Sequence, residues 1–234
     1  MSFLLRVFLP DAPGSLGRLA ASIGEAGGDI RSVDVVTHNH SDRAVVDDVV
    51  VDLPATALPD TLITAAQQVD GVEVDSIRPF SGSVNRSGQV AMLASIAQAS
   101  SRTHALQLLV DGLPTTMSAG WAIVLSGNTT IHRVAASVAA PEDNGTILHT
   151  TPVTTARHLD PEDDDWLPES WTVMDSALAA TPISDNGETL VIGRPGGPDF
   201  LAGEVEHLGK LGTILSAMMP SSLTRHDNPQ DLRK

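Results

Sequence analysis

Apolar residues fall at alternate positions at the start of the chain: Phe3, Leu5, Val7 and Leu9 share one side of a run rich in strand formers. Leu4 and Phe8 lie on the other side with Arg6, so that side is partly apolar as well. The period then changes. Leu16, Leu19, Ala20, Ile23 and Ala26 recur at three- and four-residue intervals, which predicts a helix with one apolar face, closed by Gly27-Gly28. Ile30, Val33, Val35 and Val36 predict a second strand over 29–38, and Asn39 to Asp42 is turn material. A third strand runs over 43–53 with Val45, Val49, Val51 and Leu53 on one side, Asp48 and Asp52 on the other, and Pro54 as its breaker. Pro59 opens a second helix carrying Leu58, Leu62, Ala66 and Val69, Asp70-Gly71 ends it, and Val72 to Arg78 is a fourth strand.

The order is βαββαβ over residues 1–80. Right-handed crossovers place both helices on one face of a four-stranded antiparallel sheet, a ferredoxin-like arrangement within an α+β fold class. The opposite face is half polar, and small sheets of this type often hide such a face by pairing with another copy. Ser81 to Gly88 is rich in Gly and Ser and reads as a linker. Residues 89–220 read as a second α+β domain, with helices over 90–99 and 103–113, strands over 120–125 and 130–138 joined at Gly127-Asn128, and a polar excursion over 141–170. Strands over 171–179 and 189–193 follow, then a helix with Asp199 as its N-cap and Leu201, Val205, Leu208, Leu211, Leu215 and Met218 on one face. Residues 221–234 read as a flexible tail.

Composition narrows the function. A net charge of −15 opposes a phosphate backbone, and an aromatic content of 3% leaves few stacking platforms, so direct nucleic-acid binding is not expected. The chain has no Cys, which removes disulfides, thiolate metal sites and a Cys nucleophile together. No window reaches the roughly 18 uninterrupted apolar residues of a membrane span, and the short apolar start is cut by Pro10-Asp11, so a soluble cytoplasmic protein is expected.

Asp11-Ala12-Pro13-Gly14-Ser15-Leu16 stands between the first strand and the first helix, where free backbone N–H groups hold small anions. With the βαββαβ order around it, this Asp-x-Pro-Gly-x-Leu stretch resembles the ACT domains, small-molecule regulatory modules of amino-acid metabolism. The resemblance implies a homodimer through residues 1–80 that binds an amino acid between copies, with the Asp11–Leu16 turn of one facing Asp29, Ile30 and the residues up to Val33 of the other. Gly14 would allow close backbone approach, Asp11 would contact the ligand, and Ser15 and Leu16 would offer N–H groups. Serine-sensing members carry Asn at the position of Asp11 and His where this chain has Leu9. An aspartate only accepts hydrogen bonds, so it favours a ligand's ammonium and repels its carboxylate. The closing stretch, from Pro182-Ile183 through Leu190 to Pro195, Phe200 and the helix over 204–215, resembles the end of a GAF-type domain. That resemblance implies a sensory or dimerising domain with no catalyst.

Other constellations are weaker. His38-Asn39-His40 with Asp42, Asp47 and Asp48 sits beside a turn that favours polar residues anyway. Asp160 to Asp165 lacks the Gly and terminal Glu of a calcium loop. Gly193 to Gly197 lacks a phosphate loop's Gly-Lys-Ser ending. No Ser sits in a nucleophile elbow. Trp121 and Trp171 read as core, and Trp166, among acids, as a lid or surface residue. The expectation is a non-enzymatic regulatory protein that needs no cofactor or metal and senses an amino acid. Two alternatives stand beside it: a small-molecule enzyme with its site under the 141–170 excursion, and a dimerisation module without ligand.

Overall fold

The computed structural model describes residues 1–39, 44–80, 86–127, 130–143, 145, 153–184 and 187–219. The predicted Asn39–Asp42 turn (beyond Asn39), the Gly127-Asn128 turn (beyond Gly127), most of the linker and the tail from 220 lie outside these residues, as do the side chains of His38 and Asn39.

Residues 1–80 hold strand β1 (Ser2–Pro10), helix α1 (Ser15–Glu25), strands β2 (Asp29–Asn39) and β3 (Ala44–Asp52), helix α2 (Asp60–Gln67) and strand β4 (Glu73–Pro79). Every pairing is antiparallel and the sheet order is β2-β3-β1-β4, so β2 and β4 are the edges. The alternation in β1 works as the pattern predicts. Phe3, Leu5, Val7 and Leu9 meet Val49, Val51 and Leu53 of the β3 region, Leu19 and Ile23 of α1, and Leu62 and Ala66 of α2 in one core. Leu16 does not join it: it stays 39% exposed, and Ser15 is buried in its stead.

The second face of the sheet is where expectation and structure part. Leu4, Arg6, Val46, Asp48 and Val50 are buried within a single copy. The same chain's C-terminal half lies against Arg6 through Glu204 and the Asp199 carbonyl, so the centre of this face is covered without a second copy.

That half begins with α3 (Arg86–Ala97), which takes up the end of the predicted linker, and α4 (Arg102–Thr116), capped by the Ser101 side chain on the His104 N–H. Strands β5 (Trp121–Ser126), β6 (His132–Ala136), β7 (Arg157–Leu159), β8 (Ala177–Pro182) and β9 (Thr189–Arg194) form an antiparallel sheet ordered β6-β5-β9-β8-β7. A short helix α5 (Glu169–Thr172) takes Trp171, which the sequence pattern had placed in a strand. Helix α6 (Ala202–Met218) closes the fold. Asp199 does not cap it; the Glu204 carboxylate reaches back to the Leu201 N–H at 2.8 Å.

Alternation along β5 divides two layers. Ala122 and Val124 face α3, α4 and α6, whereas Trp121, Ile123 and Leu125 face the excursion. On that second side Val153, Leu159, Trp166 and Trp171 fill the space, with Trp171 edge-on to Trp121 at 5.9 Å and to Trp166 at 6.4 Å. Trp166 is therefore core, not lid. Its indole N–H donates to Asp164 at 2.8 Å, and Asp164 also accepts from Arg157 at 2.5 and 2.8 Å and from the Asp160 N–H. The acid run over 160–165 thus spends its buried member on holding the excursion down.

Candidate functional site

The Pro13-Gly14 pair forms the centre of a tight turn. Gly14 has φ 87° and ψ −3°, the left-handed conformation a type II turn requires at its third position, and the Ser15 N–H donates to the Ala12 carbonyl at 3.2 Å. Asp11, Ala12, Pro13 and Gly14 are exposed. Ser15 is not available as expected: its N–H closes the turn and its hydroxyl, buried, accepts from Arg18 at 3.1 Å. Helical geometry leaves the Leu16 amide, one residue into α1, among the N–H groups without an intrahelical partner.

The other half of the expected site lies far off. Asp29 opposes Asp52 in the β2–β3 register, and Asp52 opposes Ser2 of β1, whereas the turn follows Pro10 at the other end of β1. Strand steps of about 3.3 Å, eight for Asp29 and seven for Ile30, put them roughly 26 and 23 Å from the turn along the sheet. A single copy does not bring these residues together; only a second copy could.

A polar cluster that the sequence pattern did not single out sits between the two halves. Arg6, on the second face of β1, is 1% exposed. It forks onto Asp48 of β3 at 2.7 and 2.8 Å and onto Glu204 of α6 at 3.0 and 3.1 Å. Glu204 also accepts from Arg194, wholly buried, at 2.7 Å. Arg194 in turn donates to the carbonyls of Ser118, Met117 and Pro198 and lies 4.0 Å over the Phe200 ring. Arg78 of β4 reaches the Ser118 carbonyl at 2.5 Å. Ser118 holds a left-handed φ of 50°, unusual for a residue with a side chain.

Charge follows this geometry. Burial opposes the charge on Arg6, but its bonds to Asp48 and Glu204 outweigh that and raise it above its ordinary range. Burial would push the Glu204 carboxyl up, yet Arg194 and Arg6 hold it below the usual value. Arg78, whose hydrogen-bond partner among the described residues is the Ser118 carbonyl, is lowered to about 10 by burial and by Arg194 nearby. Gly197 belongs to the cluster too: a Cβ there would meet the Arg194 side chain at 2.4 Å, so the Gly-rich stretch serves an arginine and not a phosphate.

A cleft of about 470 Å³ opens beside this cluster, walled by β2 on one side and by α3, α6 and the end of α4 on the other. A second, of about 550 Å³, lies between Phe8 and the 172–177 and 197–201 segments. Among the described residues no His, Asp or Glu group of three or more has metal-holding geometry, and no helix is long and apolar enough to cross a membrane.

No family model matches the chain, and no curated protein matches it. Solved structures similar to it include the GAF domain of an Acinetobacter phosphoenolpyruvate-protein phosphotransferase, at 16% identity and TM-score 0.43 over 56% of this chain and 91% of that one. The GAF domain of the Coxiella burnetii phosphoenolpyruvate-protein phosphotransferase gives 17%, 0.42, 57% and 94%. The chromophore binding domain of Stigmatella aurantiaca phytochrome P1 is similar over 94% of both chains, at 12% identity and TM-score 0.41.

Proposed function

We propose that this chain is a non-enzymatic regulatory protein. Its ACT-like, ferredoxin-like N-terminal domain pairs with a second copy and binds an amino acid at the Asp11–Leu16 turn, facing Asp29 and Ile30 of that copy. Its GAF-like C-terminal domain reads the change. The observation that carries this reading is the Arg6 fork, which bonds one strand of the first sheet to a helix of the second domain. A shift of β1 at the turn end then moves a buried charge pair on α6, and buried pairs tolerate misalignment poorly. The exposed turn and the apolar residues Leu16, Val33 and Val35, each more than a third exposed, support a contact surface on this side. Ligand that bridges two copies would favour one dimer arrangement by its differential affinity.

The test is thermal unfolding of the full chain with each amino acid, together with its mass in solution by light scattering. One amino acid is expected to raise the melting temperature and favour the dimer, adding about 2.7 kcal/mol at a hundred times its Kd. Gly14→Ala is expected to abolish that response. A dimer that responds to no amino acid would overturn sensing and leave the assembly role.

A further inference from the structure

We propose that the cleft beside β2 is a binding site for a neutral polyol, anchored by the hydroxyl of Ser118. It stands independently of the turn. Ser118 lines this cleft, just past the end of α4, and is 6% exposed. Its carbonyl accepts from Arg78 and from the Nε of Arg194, whereas its hydroxyl has no hydrogen-bond partner among the described residues. That oxygen is not wholly enclosed, so what occupies the cleft supplies its bonds. The backbone sharpens the point. At φ 50° a glycine sits without strain, yet the chain keeps a side chain there at a cost in stability.

The charges around the cleft are already answered. Asp48 holds Arg6 with both oxygens, and Glu204 is filled by Arg6, Arg194 and the Leu201 N–H. Lys210 pairs with Glu206 at 2.7 Å, and Asp34 is engaged as well. A charged ligand would therefore enter without a counter-ion, at the cost of its own desolvation. What remains is bonding capacity of a neutral kind. Ser118 both donates and accepts, and His207, held by Gln89 at 2.9 Å through Nε2, keeps its other ring nitrogen. Val36, Val90 and Met117 add apolar wall. Hydroxyl groups donate and accept without charge, and the C–H face of a polyol suits that wall. At about 470 Å³ the cleft lies within the range of small-molecule sites.

Calorimetric titration of the full chain with glucose, myo-inositol, glucuronate and glucosamine tests it. The first two are neutral polyols; the last two keep the sugar ring and add one charge of either sign. At least one neutral polyol is expected to saturate in the millimolar range, with both charged sugars about tenfold weaker. Ser118→Gly suits the left-handed φ and removes the hydroxyl. It should leave the melting temperature within a few degrees of the parent while weakening the neutral polyol about tenfold. A serine that served the backbone alone would lose no affinity. Val90→Trp, which narrows the mouth from an exposed position, is expected to weaken binding similarly and decides the matter if Ser118→Gly fails to fold. No saturation by either neutral polyol at tens of millimolar, a charged sugar that binds as tightly, or affinity unmoved in a folded Ser118→Gly would each overturn the proposal.

Discussion

Glu204 accepts hydrogen bonds from Arg6 of the N-terminal half and Arg194 of the C-terminal half, so its charge is what makes two buried guanidiniums tolerable side by side. Glu204→Gln keeps the shape and removes the charge. It is expected to cost about 3–5 kcal/mol in denaturant unfolding, the range for breaking a buried pair, and a loss below 1 kcal/mol would contradict the geometry. Asp164 gives a pH signature. Its bonds from Arg157, against the opposing effect of burial, lower the carboxyl to about 2 from the ordinary 3.8. A folded value below the unfolded one means that the stabilisation is complete above about pH 4 and lost as pH falls toward 2. The amount is about 2 kcal/mol. Unfolding of Asp164→Asn across that window should therefore be flatter than that of the parent. Neither carboxylate stands out in the sequence. Glu204 reads as one more acid at a helix start, and Asp164 as one of a solvated run, because the arginines that select them sit 198 and 7 residues away.

At the scale of elements, periodicity carries most of residues 1–80. Alternation in β1 and β3, helical spacing in α1 and α2, and the glycines at 14, 27 and 71 with left-handed φ are each local effects, so the sequence shows them. Gly14→Ala should lower stability by about 1 kcal/mol from its backbone alone, since a Cβ there meets nothing closer than 3.6 Å; chemical denaturation with unchanged sheet signal would check it. The β9–α6 connection and the helix face of Val205, Leu208, Leu211 and Leu215 were legible for the same reason. The excursion was not. Its polar residues predict a solvated loop, whereas Trp166 folds under it against Trp171, a residue the pattern places in the core, and only tertiary packing decides that. Trp166→Ala is expected to cost about 3–5 kcal/mol and to release Asp164, a loss readable as a lower melting temperature and weaker aromatic circular dichroism.

For the whole molecule, the decisive feature is that the central strands β1 and β3 of the first sheet are buried on both faces within one copy. Half-polar strands suggest solvent or a partner copy on the second face, and Arg6 and Asp48 are the residues that mislead. They are charged, yet they are interior, because Glu204 completes them. Residues 1–80 alone would expose Leu4, Val46 and Val50 together with an Arg6–Asp48 pair left without its third member. Such a fragment is expected to bind a hydrophobic dye and to aggregate, while the full chain at the same concentration binds no dye and forms nothing larger than its dimer. A well-behaved monomeric fragment with a cooperative unfolding transition would show that the two halves are not interdependent.

The Arg6–Glu204 bond also sets an order in time. It joins residues 198 positions apart, so a chain made from its N-terminus at about 5–20 residues per second holds Arg6 without its helix partner for roughly 10–40 s. During that interval residues 1–80 have their helix-covered core but an open second face that carries Leu4, Val46 and Val50. Nascent chains are thus most exposed to misassociation just before α6 emerges, and late synthesis of one helix governs the safety of the earliest strand.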